Sequence, residues 1–158
     1  MDDVDGSVLC LSCGMCCDGS IFRAVQLRPD EMDEARRHQV RLIDKADRAS
    51  GDAAMEEPCV LFQGGCCSTY GEWRPRACDD YRCGVLADYV ARRRSLEESQ
   101  TLLASYRAAR TKLDGVDDAR ILAGDLPVDQ LLALAVLKVL RHRHFTHEPL
   151  EAKETSMG

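Results

Sequence analysis

Aromatic residues are scarce in this chain: one tryptophan, four tyrosines and three phenylalanines among 158 residues. A core built without them leans on Leu, Val and Ala, and another device must hold any region where those are thin as well. Long apolar runs are also missing. None reaches the roughly twenty residues that span a bilayer, so no membrane association is expected. Positive charge is in deficit, with a formal net charge of -6 and a pI near 5.2. That balance is the wrong sign for neutralising many phosphates, and nucleic acid is not an expected partner. Two basic clusters, Arg92-Arg93-Arg94 and Arg141-His142-Arg143-His144, sit among acids and read as solvated helix faces. The acidic start Met1-Asp2-Asp3-Val4-Asp5 has neither the positive flank nor the apolar run of a signal peptide, so a cytoplasmic location is expected. The chain also shows no phosphate loop, dinucleotide fingerprint, Ser-His-Asp arrangement, internal repeat or low-complexity tract.

What the chain has instead is cysteine, nine of them. Cys10, Cys13, Cys16 and Cys17 fall within eight residues, and Cys59, Cys66, Cys67, Cys78 and Cys83 answer them downstream. In a reducing compartment such thiols are ligands or catalytic groups rather than disulfides, and the odd count weakens a disulfide framework further. Cys10-x-x-Cys13-x-x-Cys16 is the spacing with which bacterial ferredoxins supply three ligands to an iron–sulfur cluster. Cys-x-x-Cys is equally a half-site for tetrahedral zinc, so zinc is the alternative metal. The adjacent pair Cys16-Cys17 bears on the choice. Neighbouring side chains diverge, so the two fit different metal atoms better than one small ion. Cys10, Cys13, Cys16, Cys17, Cys59, Cys67, Cys78 and Cys83 make two four-ligand sets, with Cys66 as the odd one out. Gly14 lets the backbone wrap closely.

Around the thiols the elements are short. Ser20 to Leu27 is partly alternating and reads as a strand leading away from the site, its apolar side chains covering the metal. Arg28-Pro29-Asp30-Glu31 starts a helix, and Met32, Ala35, Gln39, Leu42, Ile43 and Ala46 continue it at helical spacing until Ser50-Gly51. Asp52 to Pro58 is a polar connection. Cys59 to Phe62 and Cys66 to Tyr70, flanking Gly64-Gly65, form a hairpin whose ends carry thiols. Trp73 to Ala77 is extended because of Pro75.

From Val85 onward helix formers dominate. Val85, Leu86, Tyr89 and Val90 start one helix. Ser95-Leu96-Glu97-Glu98 is a capping box at which a second helix begins or through which one long helix runs. Leu102, Leu103, Tyr106, Ala109 and Leu113 give its apolar face, and Asp114-Gly115 stops it. A helical turn follows at 119–123. The last helix starts near Pro127 and is apolar nearly all the way round over 131–140, which implies burial on several sides. His142, His144 and His147 read as cations at its C-terminus before they read as a metal site. Asp79, Asp80 and Tyr81 read as loop hydrogen-bonding groups before acid–base ones, and Arg74 and Arg76 as donors to sulfur or counter-charges to thiolate.

Four pieces in order carry a family resemblance: Cys10-x-x-Cys13-Gly14-x-Cys16-Cys17, Pro58-Cys59-x-x-Phe62, Gly65-x-Cys67-x-x-Tyr70, and Arg74-Pro75-x-x-Cys78-x-x-Tyr81-x-Cys83. Over residues 10–84 the chain resembles the zinc- or iron-chelating domain family, the YkgJ-family cysteine cluster proteins. The resemblance implies a small, mostly bacterial metal-chelating module without an assigned reaction. The chain departs from the pattern in having Cys66 beside Cys67, and Asp79 where Arg commonly follows the penultimate cysteine.

The expected fold is mainly α with a small irregular Cys-rich metal-binding core carrying short β-hairpin elements and a helical C-terminal half. Residues 1–90 form the cysteine-cluster module, 91–147 a helical extension packed on it, and 148–158 a disordered tail. The expected function is metal binding, with one or two iron–sulfur clusters held by the eight thiols for electron transfer, redox sensing or service to an enzyme. A zinc-stabilised interaction module and an iron-dependent metalloenzyme are the alternatives. Another protein docked on the C-terminal helices is the expected partner, and a homodimer contact through the last helix is the other.

Overall fold

A computed structural model describes residues 4–43 and 53–145. Two apolar clusters organise it, one helical and one built on a small sheet, and the cysteines lie where the two meet.

The helical cluster begins with α1 (Ser7–Cys13), which buries Leu9. Gly14 ends it at φ 63°, a left-handed conformation that favours glycine. A Cβ there would also run into the edge of the Phe62 ring. Gly14→Ala is therefore expected to cost about 3 kcal/mol, the sum of left-handed strain and overpacking, read as a lowered urea midpoint. α1 packs against α5 (Leu96–Thr111), which also meets α4 (Gly84–Val90) and α7 (Val128–His144), and Leu9, Met15, Ile21, Leu86, Leu103, Tyr106, Leu137 and Phe145 join in one cluster. The capping box opens a fresh helix: Glu98 N–H donates to Ser95 Oγ at 3.1 Å, and Ser95 N–H donates to Glu98 Oε2 at 2.7 Å. The short α6 (Asp118–Ala123) follows as expected, with Asp117 as its cap.

Burial of α7 on several sides is not met among the described residues. Ala133 and Leu137 are buried, but Leu132 is 63% exposed and Val136 42%, with Val128 and Val139 open beside them. Among the described residues no helix is long and apolar enough to cross a membrane.

The second cluster rests on a three-stranded antiparallel sheet in the order β1-β3-β2, from β1 (Ala24–Leu27), β2 (Leu42–Ile43) and β3 (Ala53–Glu56). Leu27, Ala35, Val40, Met55, Cys59 and Leu61 are its buried members. The strand expected across Ser20 to Leu27 is present as β1. Two expectations are corrected. The helix does start at Pro29, as a 3₁₀ turn over Pro29–Glu31 that runs into α2 (Met32–Arg37), but it ends early, because Gln39 turns left-handed at φ 56° and Leu42-Ile43 pairs with β3 instead. Its expected continuation to Ser50-Gly51 falls outside the described residues, as do His147 and the tail 148–158. The polar connection holds the central strand: Ala53–Glu56 pairs on both sides, with Val25 and Leu42 both opposite Met55.

The hairpin appears as expected, with β4 (Phe62–Gln63) against β5 (Cys66–Cys67). Gly64 and Gly65 both take positive φ, 60° and 86°, as a type I′ turn requires. Beyond it Pro75 precedes α3 (Arg76–Asp80), so the extended stretch stops two residues earlier than expected and Arg76-Ala77 is already helical.

Candidate metal centre

Several local devices carry the thiols in. Cys10 and Cys13, three residues apart on α1, share one helix face. The turn after Gly14 brings Cys16 and Cys17 back under the helix, with the N–H groups of Cys17 and Asp18 donating to Gly14 O at 2.9 and 3.0 Å. That turn is tied to the helical half from outside: Arg141 Nη2 donates to Ile21 O at 3.0 Å, and the Tyr106 hydroxyl to Ser20 O at 3.4 Å. Cys59 N–H donates to Cys17 O at 2.8 Å, binding the second half of the site to the first. Cys67 stands on β5 and Cys78 in α3. Cys83 caps α4, its sulfur accepting from Leu86 N–H at 3.4 Å.

These side chains surround one cavity of about 660 Å³. Cys10, Cys13, Cys16, Cys17, Cys59, Cys67, Cys78 and Cys83 all line it, and Cys66 does not. Adjacent residues of a strand face opposite ways, so β5 turns Cys67 inward and leaves Cys66 with Gln63 O, at 3.7 Å. Cys66→Ser is accordingly expected to leave metal content unchanged and stability within about 0.5 kcal/mol, checked by metal analysis and urea titration. Among the described residues no three His, Cys, Asp or Glu donors close around a point that holds a single ion. The thiols form the wall of a chamber rather than a preformed ion cage.

Electrostatics divides the eight into two groups, and packing places six of them the same way. Burial pushes the Cys16 thiol far up, and Cys83, Cys13, Cys17 and Cys10 push it further by repulsion. Burial likewise raises Cys17, and its repelling neighbours are Cys67, Glu57, Cys78 and Cys59. Cys83 is pushed up to about 11, by burial first and then by Cys13 and Cys10, against the lowering effect of Leu86 N–H. Cys78 is pushed up to about 12, by burial first and then by Glu57, Cys59 and Cys67, with Arg74 offsetting part. Cys10, Cys13 and Cys83 pack on the helical cluster, whereas Cys59 belongs to the sheet cluster and Cys17 and Cys78 pack on it. One group is thus Cys10, Cys13, Cys16 and Cys83, and the other Cys17, Cys59, Cys67 and Cys78.

The donor set fits a metal on chemical grounds. A thiolate, not a thiol, binds metal, and the seven thiols that burial pushes up, Cys10, Cys13, Cys16, Cys17, Cys59, Cys78 and Cys83, ionise only against cations. Protein cations supply little of that charge. Burial raises Cys10 and Cys13; Arg82 and Arg74 offset part of the rise at Cys10, and the Met15 N–H and Arg107 part of it at Cys13. Arg74 is also engaged with Asp79 as an ion pair and lies 4.0 Å over the Tyr70 ring. Asp79 is thereby a partner of Arg74, and Asp80 and Tyr81 line the cavity. Tyr81 meets Phe22 edge-on at 4.9 Å and donates to Phe145 O at 3.4 Å. Phe22, Ala24 and Val25 cover the cavity as expected. His142 and His144 lie in the last turn of α7, and neither lines the cavity.

No expectation covered Glu57. It lines the cavity at 8% exposure, and its Oε2 has no hydrogen-bond partner. Burial pushes its carboxyl up to about 7, against the lowering effect of the Cys59 N–H. The one sequence signal was an acid immediately before Pro58-Cys59.

The family model CxxCxxCC, described as "Putative zinc- or iron-chelating domain", matches residues 9–101. The match runs past the last cysteine through α4 and into α5, so the start of the helical half belongs with the cysteines. No curated protein matches the chain, and no solved structure does.

Proposed function

This chain belongs to the zinc- or iron-chelating CxxCxxCC family, and from that premise we propose that it holds two iron–sulfur clusters. Cys10, Cys13, Cys16 and Cys83 ligate one; Cys17, Cys59, Cys67 and Cys78 ligate the other. The observation that carries this reading is the chamber itself, about 660 Å³ and walled by thiols in two groups of four. A mononuclear zinc centre would need four sulfurs about 3.8 Å apart, from bonds of about 2.3 Å in a tetrahedron. No three donors among the described residues gather that closely around one point. A cluster carries its own sulfide between the thiolates and suits a wider wall.

A bound iron–sulfur cluster supplies one-electron chemistry, which fits electron transfer, redox sensing or service to an enzyme. The protein's part is to bury the ligands, exclude water with Phe22, Ala24 and Val25, and offset negative charge with Arg74 and Arg82. The exposed stripe of α7, Val128, Leu132, Val136 and Val139, supports the reading that a protein partner docks on the helical half. A cytoplasmic location suits thiols that must stay reduced to bind.

Anaerobic purification followed by iron, zinc and acid-labile sulfide analysis tests the reading. Brown protein with iron and sulfide in equal amounts is expected. Colourless protein with stoichiometric zinc and no sulfide overturns the clusters and leaves the zinc-stabilised interaction module.

A further inference from the structure

We infer that Glu57 is a carboxylate donor to the metal at the Cys17, Cys59, Cys67 and Cys78 group, so that this centre is mixed sulfur–oxygen while the other is all thiolate. The inference rests on the two-centre reading above.

The backbone fixes the position of Glu57. Its N–H donates to Arg23 O at 3.1 Å, prolonging the β1–β3 ladder by one step, and two residues later Cys59 N–H donates to Cys17 O at 2.8 Å. Glu57 is therefore clamped between the sheet and the turn that carries Cys17. It reaches the cavity wall beside three thiols of the second group, repelling Cys17, Cys59 and Cys78.

A carboxylate buried to 8% exposure is ordinarily paired or hydrogen-bonded, because an unsatisfied buried charge costs several kcal/mol. Glu57 forms no ion pair among the described residues, while its neighbour Glu56 lies 3.7 Å from Arg41. One of its oxygens, Oε2, accepts nothing. The charged group that acts on it is Asp18, of the same sign, and no protein cation among the described residues offsets it. A metal cation is the counter-charge that this arrangement lacks, and the orphaned oxygen is the atom that would meet it.

Among the described residues no such buried, unpartnered carboxylate stands at the first centre. Burial raises Cys10 and Cys13 there, and protein cations offset part of that rise, Arg82 and Arg74 at Cys10 and Arg107 at Cys13. The acid near Cys13, Asp18, already accepts Ser20 N–H at 2.8 Å. The two centres thus differ by one hard oxygen donor, and carboxylate and thiolate differ in the metals and oxidation states they favour.

X-ray absorption at the metal edge tests this on full-length, anaerobically prepared protein, comparing the parent with Glu57→Gln and Glu57→Asp. The parent is expected to show a light-atom shell beside the sulfur shell. Glu57→Gln should lose it, keep its sulfur, and release metal to a competing chelator at least about tenfold faster. Glu57→Asp should retain a light-atom shell at altered distance. Cys17→Ser and Cys78→Ser separate the centre from its oxygen donor. If they leave metal content untouched, the second centre itself is wrong. If they lower it while both Glu57 variants keep the parent's shells and release rate, the centre stands and the role of Glu57 is overturned.

Discussion

Cys16→Ser and Cys17→Ser, one residue apart, are expected to empty different centres. Each single variant should retain about half of the parent's metal, and the double variant almost none. The expectation follows from placement. Cys16 has Cys10, Cys13 and Cys83 for neighbours, and Cys17 has Cys59, Cys67 and Cys78. The structural consequences should differ as well. Losing the Cys16 centre frees α1 and the start of α4, where Cys10, Cys13 and Cys83 pack on the helical cluster. Losing the Cys17 centre frees the hairpin and α3 but leaves that cluster closed. Limited proteolysis of Cys17→Ser is then expected to cut first between residues 59 and 80, and cuts in Cys16→Ser should fall near α1. Metal analysis on the three variants checks the main point. Equal loss of all metal from both single variants would mean that one centre uses both thiols, and the division into two groups would fall.

That division could not have been read along the chain. Adjacency of Cys16 and Cys17 suggested two metal atoms, but which downstream thiol joins which depends on two apolar clusters assembled from distant segments. Elements with a local cause were visible early: Ser95 with Glu98, Gly64-Gly65 between short β runs, Pro127 before a long apolar helix. Those overruled by tertiary contacts were not. Ala53-Ala54-Met55-Glu56 has poor strand propensity and becomes the central strand because both neighbours pair with it. Leu42 and Ile43 fit a helix by spacing, yet the left-handed Gln39 redirects them into the sheet. Glu57 escaped notice for the same reason. Its chemistry comes from burial beside thiols distant in sequence, and Glu-Pro-Cys by itself looks like surface. The apolar α7 reads as a helix covered on several sides, and among the described residues Leu132, Val136 and Val139 stay exposed on it.

The metal-free and metal-loaded proteins should respond to pH in opposite directions. In the metal-free fold Cys78 and Cys83 are pushed up to about 12 and about 11, mainly by burial, from an ordinary thiol value of 9.0. Groups raised on folding contribute stability that is fully present below the unfolded value and is lost as pH rises through the folded one. The metal-free protein, kept reduced with a chelator present, should therefore lose stability steadily above pH 9. A tenfold difference in a thiol's acidity between the folded and unfolded chain is worth about 1.4 kcal/mol, so the loss is large on the scale of a single domain. Glu57 adds an earlier step of the same sign. Its carboxyl is pushed from an ordinary 4.5 up to about 7, so the metal-free fold weakens as pH climbs through that window. Glu57→Gln should remove that step and leave the alkaline one. Bound metal reverses the sign, because it holds the thiols as thiolates and binding releases their protons. The loaded protein should tolerate alkaline buffer and release metal on acidification. Urea midpoints between pH 5 and 11, with and without chelator, check this directly. Parallel curves for the two forms would mean that the buried thiols are not the metal ligands.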